Sequence, residues 1–135
     1  MKNIFLALII LSALILYNCT EEVETDRYKI LSGSVWQSDS LLANGVDASG
    51  PGQMLEDFKG EVRFNKDGTG VFGSYTGTWD LIYDDTEINI SSDSLPYPLN
   101  TKIVELTKAS LKITTGYPNF EDPTDPIKIR MTFVP

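Results

Sequence analysis

The sequence predicts an all-β domain of eight short antiparallel strands, a barrel or a sandwich, with closure into a barrel favoured because it leaves no exposed edge. Three observations lead there. Polar and apolar residues alternate with period two in segment after segment, as in Glu61–Asn65 and Glu87–Ser91, the mark of strands with one buried face. Turn-forming pairs such as Asp67-Gly68 and Asp84-Asp85 separate these segments. Beyond the N-terminal leader no stretch offers ten residues of helical periodicity, which excludes βαβ units.

The elements follow in chain order. Lys2 is the sole charge before Glu21, and the apolar run Ile4–Tyr17 is broken only by Ser12. At 1.5 Å per residue that run spans about 21 Å, short of the ~30 Å hydrocarbon core of a bilayer. Residues 1–18 therefore read as a secretory signal with a basic start and an apolar middle. Residues 19–29 turn polar and acidic, a tether composition, and Arg27–Leu31 is long enough for one helical turn. The barrel is expected over residues 30–135.

Its first strand is Ser34–Leu41. Ala43–Asp57 follows as a long Gly-rich connection. Glu61–Asn65 and Thr69–Phe72 flank Asp67-Gly68, a strong hairpin signal because both turn positions must accept positive φ. Thr78–Tyr83 places Trp79, Leu81 and Tyr83 on one face, and Asp84-Asp85 turns the chain into Glu87–Ser91. Lys102–Thr107 and Ser110–Thr115 pair around Lys108-Ala109. Gly116–Pro126 is a second long connection, rich in proline. The last strand aligns Ile127, Ile129, Met131 and Phe133 on its inner face. Closing eight such strands leaves no exposed edge to aggregate. Connections as long as 43–57 and 116–126 are usually functional or mobile.

Composition narrows the function. A net charge of -8 with a pI near 4.4 argues against nucleic acid, whose phosphates are met by basic surfaces, and against attraction to an anionic membrane surface. The chain has no histidine and one cysteine, Cys19. It therefore lacks the commonest general base near neutral pH and the commonest metal ligand, and it has no internal disulfide. No nucleophile motif appears, and the acidic clusters Asp84-Asp85 and Glu121–Asp125 lack EF-hand spacing, while Asp is favoured in turns for its own hydrogen bonds. No enzyme activity, cofactor or metal is expected, and the domain is expected to be a monomer.

Leu16-Tyr17-Asn18-Cys19 resembles the lipobox of bacterial lipoproteins. The resemblance implies cleavage before Cys19 and acylation of its thiol, anchoring the domain to a membrane at about 0.8 kcal/mol per buried methylene. The other reading is a plain signal peptide with Cys19 incidental. Glu21-Glu22 further resembles the signal that sends some Gram-negative lipoproteins to the outer face. Together these imply a cell-envelope protein at the outer membrane, periplasmic or surface-exposed.

The order Gly33-Ser34-Val35-Trp36, long connection, Phe64–Gly70, Gly77–Leu81, Glu105–Thr107, Leu111–Ile113 resembles the small bacterial lipocalin-like lipoproteins over residues 30–134. That resemblance implies an eight-stranded antiparallel up-and-down barrel with a cup able to hold an apolar ligand, Trp36 plugging its closed end. An eight-stranded barrel is just wide enough to be filled by side chains or to hold one small ligand. Trp36, Phe64, Trp79, Leu81 and Tyr83 are the inward residues expected near such a site, with Met54, Leu55 and Phe58 leaning over its mouth. Phe120, in the second long connection, invites the same reading. Two functions follow: capture of a small apolar or amphipathic ligand, or a non-catalytic surface module that recognises a protein or glycan through its long loops.

Overall fold

The structure is a computed structural model that describes residues 25–135. The leader, Cys19 and all of the tether before Thr25 lie outside the described residues. Helix α1 (Asp26–Ser32) leads into β1 (Val35–Ala43) and the two-residue β2 (Val46–Asp47). A 3-10 turn (Glu56–Phe58) precedes β3 (Glu61–Phe64), β4 (Thr69–Phe72) and β5 (Tyr75–Ile82). Then come β6 (Glu87–Ser91), β7 (Leu99–Thr107), β8 (Ser110–Tyr117) and β9 (Ile127–Val134).

From β3 to β9 each strand pairs antiparallel with the next. β1 pairs with β3 through Val35–Gln37 and with β9 from Gln37 to Ala43, which closes eight strands into a barrel. The eight alternating strands close as a barrel, in the up-and-down order that the lipocalin-like resemblance implies. β2 is a short arm folded back on the end of β1.

The alternation that defines the strands also fills the barrel. In β9, Ile129, Met131 and Phe133 are buried while Lys128 and Arg130 face water. Facing them, Leu111 and Ile113 of β8 are buried, as are Ile88 and Ile90 of β6. Phe64 makes edge contacts with Phe72 and Trp79 at centroid distances of 5.6 and 5.2 Å. The one buried polar side chain among the described residues, Thr101, donates its hydroxyl to the Ile88 carbonyl at 3.0 Å. The inner wall is therefore dry and its polar groups are matched.

α1 lies over one pole of the barrel. Thr25 caps it, accepting from the Tyr28 amide. Leu31 and Trp36 are fully buried beneath it, and the Trp36 indole N–H donates to the Leu31 carbonyl at 3.1 Å. Arg27 donates to the Asp85 carbonyl at 2.7 Å and the Tyr28 hydroxyl to the Lys66 carbonyl at 2.6 Å, fastening the helix to the β5–β6 and β3–β4 turns. The opposite pole carries the 43–60 segment and the β4–β5, β6–β7 and β8–β9 connections.

Two expectations change. Ala43–Asp57 is not a structureless loop. Asn44 and Gly45, both at positive φ, turn the chain into β2. The Ala48 amide then bonds the Leu41 carbonyl and the Leu55 amide the Ala48 carbonyl, which draws Leu55 and Phe58 into the core. Tyr83 does not extend the inner row of Trp79 and Leu81. The chain bends there, with Tyr83, Asp84 and Asp85 all at positive φ, and the Tyr83 side chain is 70% exposed.

Candidate functional site

At the pole opposite α1 an apolar cleft of about 110 Å³ opens among Met54, Leu55, Phe58, Tyr75, Tyr97 and Tyr117, floored by Leu99, Ile129 and Met131. Four separate connections and strand ends build it. The 3-10 turn delivers Phe58, whose ring lies 4.9 Å from that of Tyr75 at the start of β5. The segment Ser92–Pro98 delivers Tyr97, a tyrosine between two prolines, whose ring faces Tyr117 at 6.3 Å. Proline on both sides limits the backbone states available to Tyr97.

Two of these phenols, Tyr75 and Tyr97, have raised pKa values. Burial raises the pKa of Tyr75, and the neighbouring Asp57 carboxylate, which accepts its hydroxyl at 3.3 Å, raises it further. Burial likewise raises Tyr97, with Tyr117 adding to the effect. The cleft thus presents uncharged aromatic faces with hydroxyl tips, a surface suited to an apolar group with a polar edge.

At its mouth and on the neighbouring connections stand large apolar side chains that are partly or largely exposed. Val46 on the β1–β2 arm, Met54, Tyr97 and Phe120 of the β8–β9 connection are all exposed, Phe120 by 85%. They form an apolar rim at the pole farthest from α1.

Of the residues singled out from sequence, Trp36 is the plug beneath α1. Phe64 and Trp79 belong to the core near that same pole, and the Trp79 indole N–H donates to the Asn65 carbonyl at 2.9 Å. Leu81 is partly buried against the core, and Tyr83 faces solvent. Only Met54 of that set lines the cleft, beside Leu55 and Phe58, which lean over the mouth and are buried there. Cys19 lies outside the described residues. Tyr75, Tyr97 and Tyr117 were not singled out, and their one local signal is the Pro-Tyr-Pro triplet.

Among the described residues no three acidic, histidine or cysteine side chains converge as metal ligands do. Asp122 instead accepts from the backbone and hydroxyl of Thr124, which lowers its pKa and shapes its own turn. Compared with known proteins, the sequence matches no family model and no curated relative.

Proposed function

We propose that the chain is an envelope-tethered binding module, held by acylated Cys19, whose rimmed pole receives an apolar group displayed by a partner protein. The observation that carries this reading is the packed barrel. Trp36, Phe72, Ile88, Leu111, Ile113 and Met131 are essentially fully buried, and no buried side-chain polar atom among the described residues lacks a partner. Sites for whole small molecules usually have about 300–1,000 Å³. The cleft, at about 110 Å³, matches one anchoring side chain better than a lipid. Buried anchors in small pockets carry much of the energy of protein association.

The placement of the rim adds support. The described chain enters at the α1 pole, so a tether attached there leaves Val46, Met54, Tyr97 and Phe120 pointing away from the attachment point. Capture of an apolar ligand inside the barrel, which the lipocalin-like resemblance implies, is the second reading, and the small cleft counts against it.

Photo-crosslinking residues placed at Met54 and at Lys112, on the outer wall, test the proposal in intact envelopes. A discrete protein adduct from position 54 and none from 112 is expected. No adduct from 54, together with fatty acid retained in native mass spectra, would reverse the ranking. Labelled palmitate should enter the wild-type chain and not Cys19→Ala, and equal labelling would remove the tether.

A further inference from the structure

We infer that the outer wall of β7, β8 and β9 is a binding groove for an acidic polysaccharide. The overall charge of -8 conceals an uneven distribution. These three strands and the turn joining β7 to β8 hold Lys102, Lys108, Lys112, Lys128 and Arg130 against a single acid, Glu105. Glu105 is already engaged with Lys112 at 3.3 Å. An acidic molecule thus carries one basic wall.

That wall is concave. A groove of about 600 Å³ runs across it, lined by Lys102, Lys128 and Arg130 with Asn100, Thr114 and Gly116 beside them, and Glu87, the cross-strand partner of Lys102, borders it on the β6 side. Lys102 pairs with Thr114 and Thr114 with Arg130, so the two cations stand two strands apart, roughly 10 Å at the backbone. Lys128 lies two residues along β9 from Arg130, about 7 Å away. None of the three has a carboxylate within ion-pair distance among the described residues. The charges are spread along the groove instead of converging on one point, which suits anionic groups repeated along a polymer.

The neutral lining favours sugar. Asn100 accepts from the Asn89 amide across the β6–β7 pair, leaving its own amide N–H groups to donate outward. Gly116, paired with Lys128, has no side chain and leaves the floor clear. Asn and Thr between cations can serve hydroxyls and carboxylates together. Other polyanions fit less well. No aromatic side chain lines the groove for base stacking, on which single-stranded nucleic acid relies. β7, β8 and β9 each have both neighbours, so an acidic peptide finds no free strand edge. A bilayer or duplex presents a broad anionic face to a molecule whose net charge is -8, which opposes its approach.

The full chain in neutral detergent, titrated with polygalacturonate, neutral dextran, duplex DNA and phosphatidylglycerol vesicles, tests this. Saturable binding of polygalacturonate and none of dextran is expected, with DNA and vesicles weaker. Lys128→Glu with Arg130→Glu should weaken polygalacturonate binding about tenfold or more, equivalent to about 1.4 kcal/mol. Lys59→Glu with Lys66→Glu changes the net charge equally elsewhere and should have about twofold effect or less. Gly116→Trp, which fills the groove without altering charge, should weaken binding as the groove pair does, with the thermal midpoint retained. No binding of polygalacturonate, equal losses in the two double variants, or tighter binding of DNA or vesicles would each overturn the proposal. None of the substituted residues lines the apolar cleft, so the adduct expected from position 54 should persist in the groove variants, and failure here and failure of the partner-binding reading are distinguishable.

Discussion

Tyr28 stacks on Trp79, ring centroids 5.0 Å apart and planes 27° from parallel. The contact joins α1 to the barrel wall, and the Trp79 indole is at the same time bonded to the Asn65 carbonyl. Pull on the N-terminal segment is thereby delivered to β5 and to the β3–β4 turn.

Trp79→Ala should destabilise the domain by about 3–5 kcal/mol, as expected for a buried large aromatic, measured by urea unfolding. Tyr28→Phe keeps the ring and loses the hydroxyl bond to the Lys66 carbonyl, and should cost about 1 kcal/mol. Equal losses from the two would show that the stack contributes little.

Gly77 and Gly45 separate steric need from conformational need. A Cβ at Gly77, on β5, would collide with the Ser91 carbonyl oxygen of β6. At Gly45 nothing lies within 4 Å, but φ is +80°. Gly45→Ala should cost roughly 1–2 kcal/mol from backbone strain alone. Gly77→Ala should cost clearly more, because two paired strands must part. Thermal midpoints of the two variants give the order directly.

Asp67 accepts from both the amide and the hydroxyl of Thr69, at 2.9 and 2.6 Å, and these bonds hold its pKa below the ordinary aspartate value. A carboxyl lowered in the folded state adds stability above its unfolded pKa and gives it up as pH falls through the folded value. Below pH ~4 the hairpin therefore loses this contribution. Asp67→Asn should show a smaller decline in midpoint over that range, and the Asp67 carboxyl carbon should titrate lower than that of a free aspartate by NMR. Coincident titration would remove the effect.

Phe120 has almost no packing to lose. Phe120→Ser should leave stability within about 0.5 kcal/mol while reducing binding of an apolar dye to the folded protein. A larger loss of stability would place this ring in the core.

Most of the barrel was legible because period two is a local signal. β6 and β9 could be read residue by residue, since each keeps one face throughout. The signal fails where the chain adds a residue or bends. Between Ile103 and Glu105 the register shifts: Val104 is exposed as alternation from Lys102 requires, but Leu106, outward by the same count, packs against the core; a bulge leaves no mark in the pattern. Tyr83 fails for the second reason, because the strand has already become a turn. The Asn44-Gly45 pair carries the hairpin signal, yet the arm beyond it is only two residues long and cannot show alternation. The apolar cleft was hidden for a topological reason. Phe58, Tyr75, Tyr97 and Tyr117 come from four places in the chain and meet only once the strands have closed.

That β1 relies on β9 as well as on β3 has a consequence for biosynthesis. Made from its N-terminus, the polypeptide lacks half of the partners of its first long strand until β9 has emerged, since Ser38–Ala43 bond to Ile129–Phe133. Before then it is an unfinished ribbon whose two margins can recruit other chains. Such a protein completes its barrel only at the end of its manufacture, at the cost of needing protection from aggregation on the way.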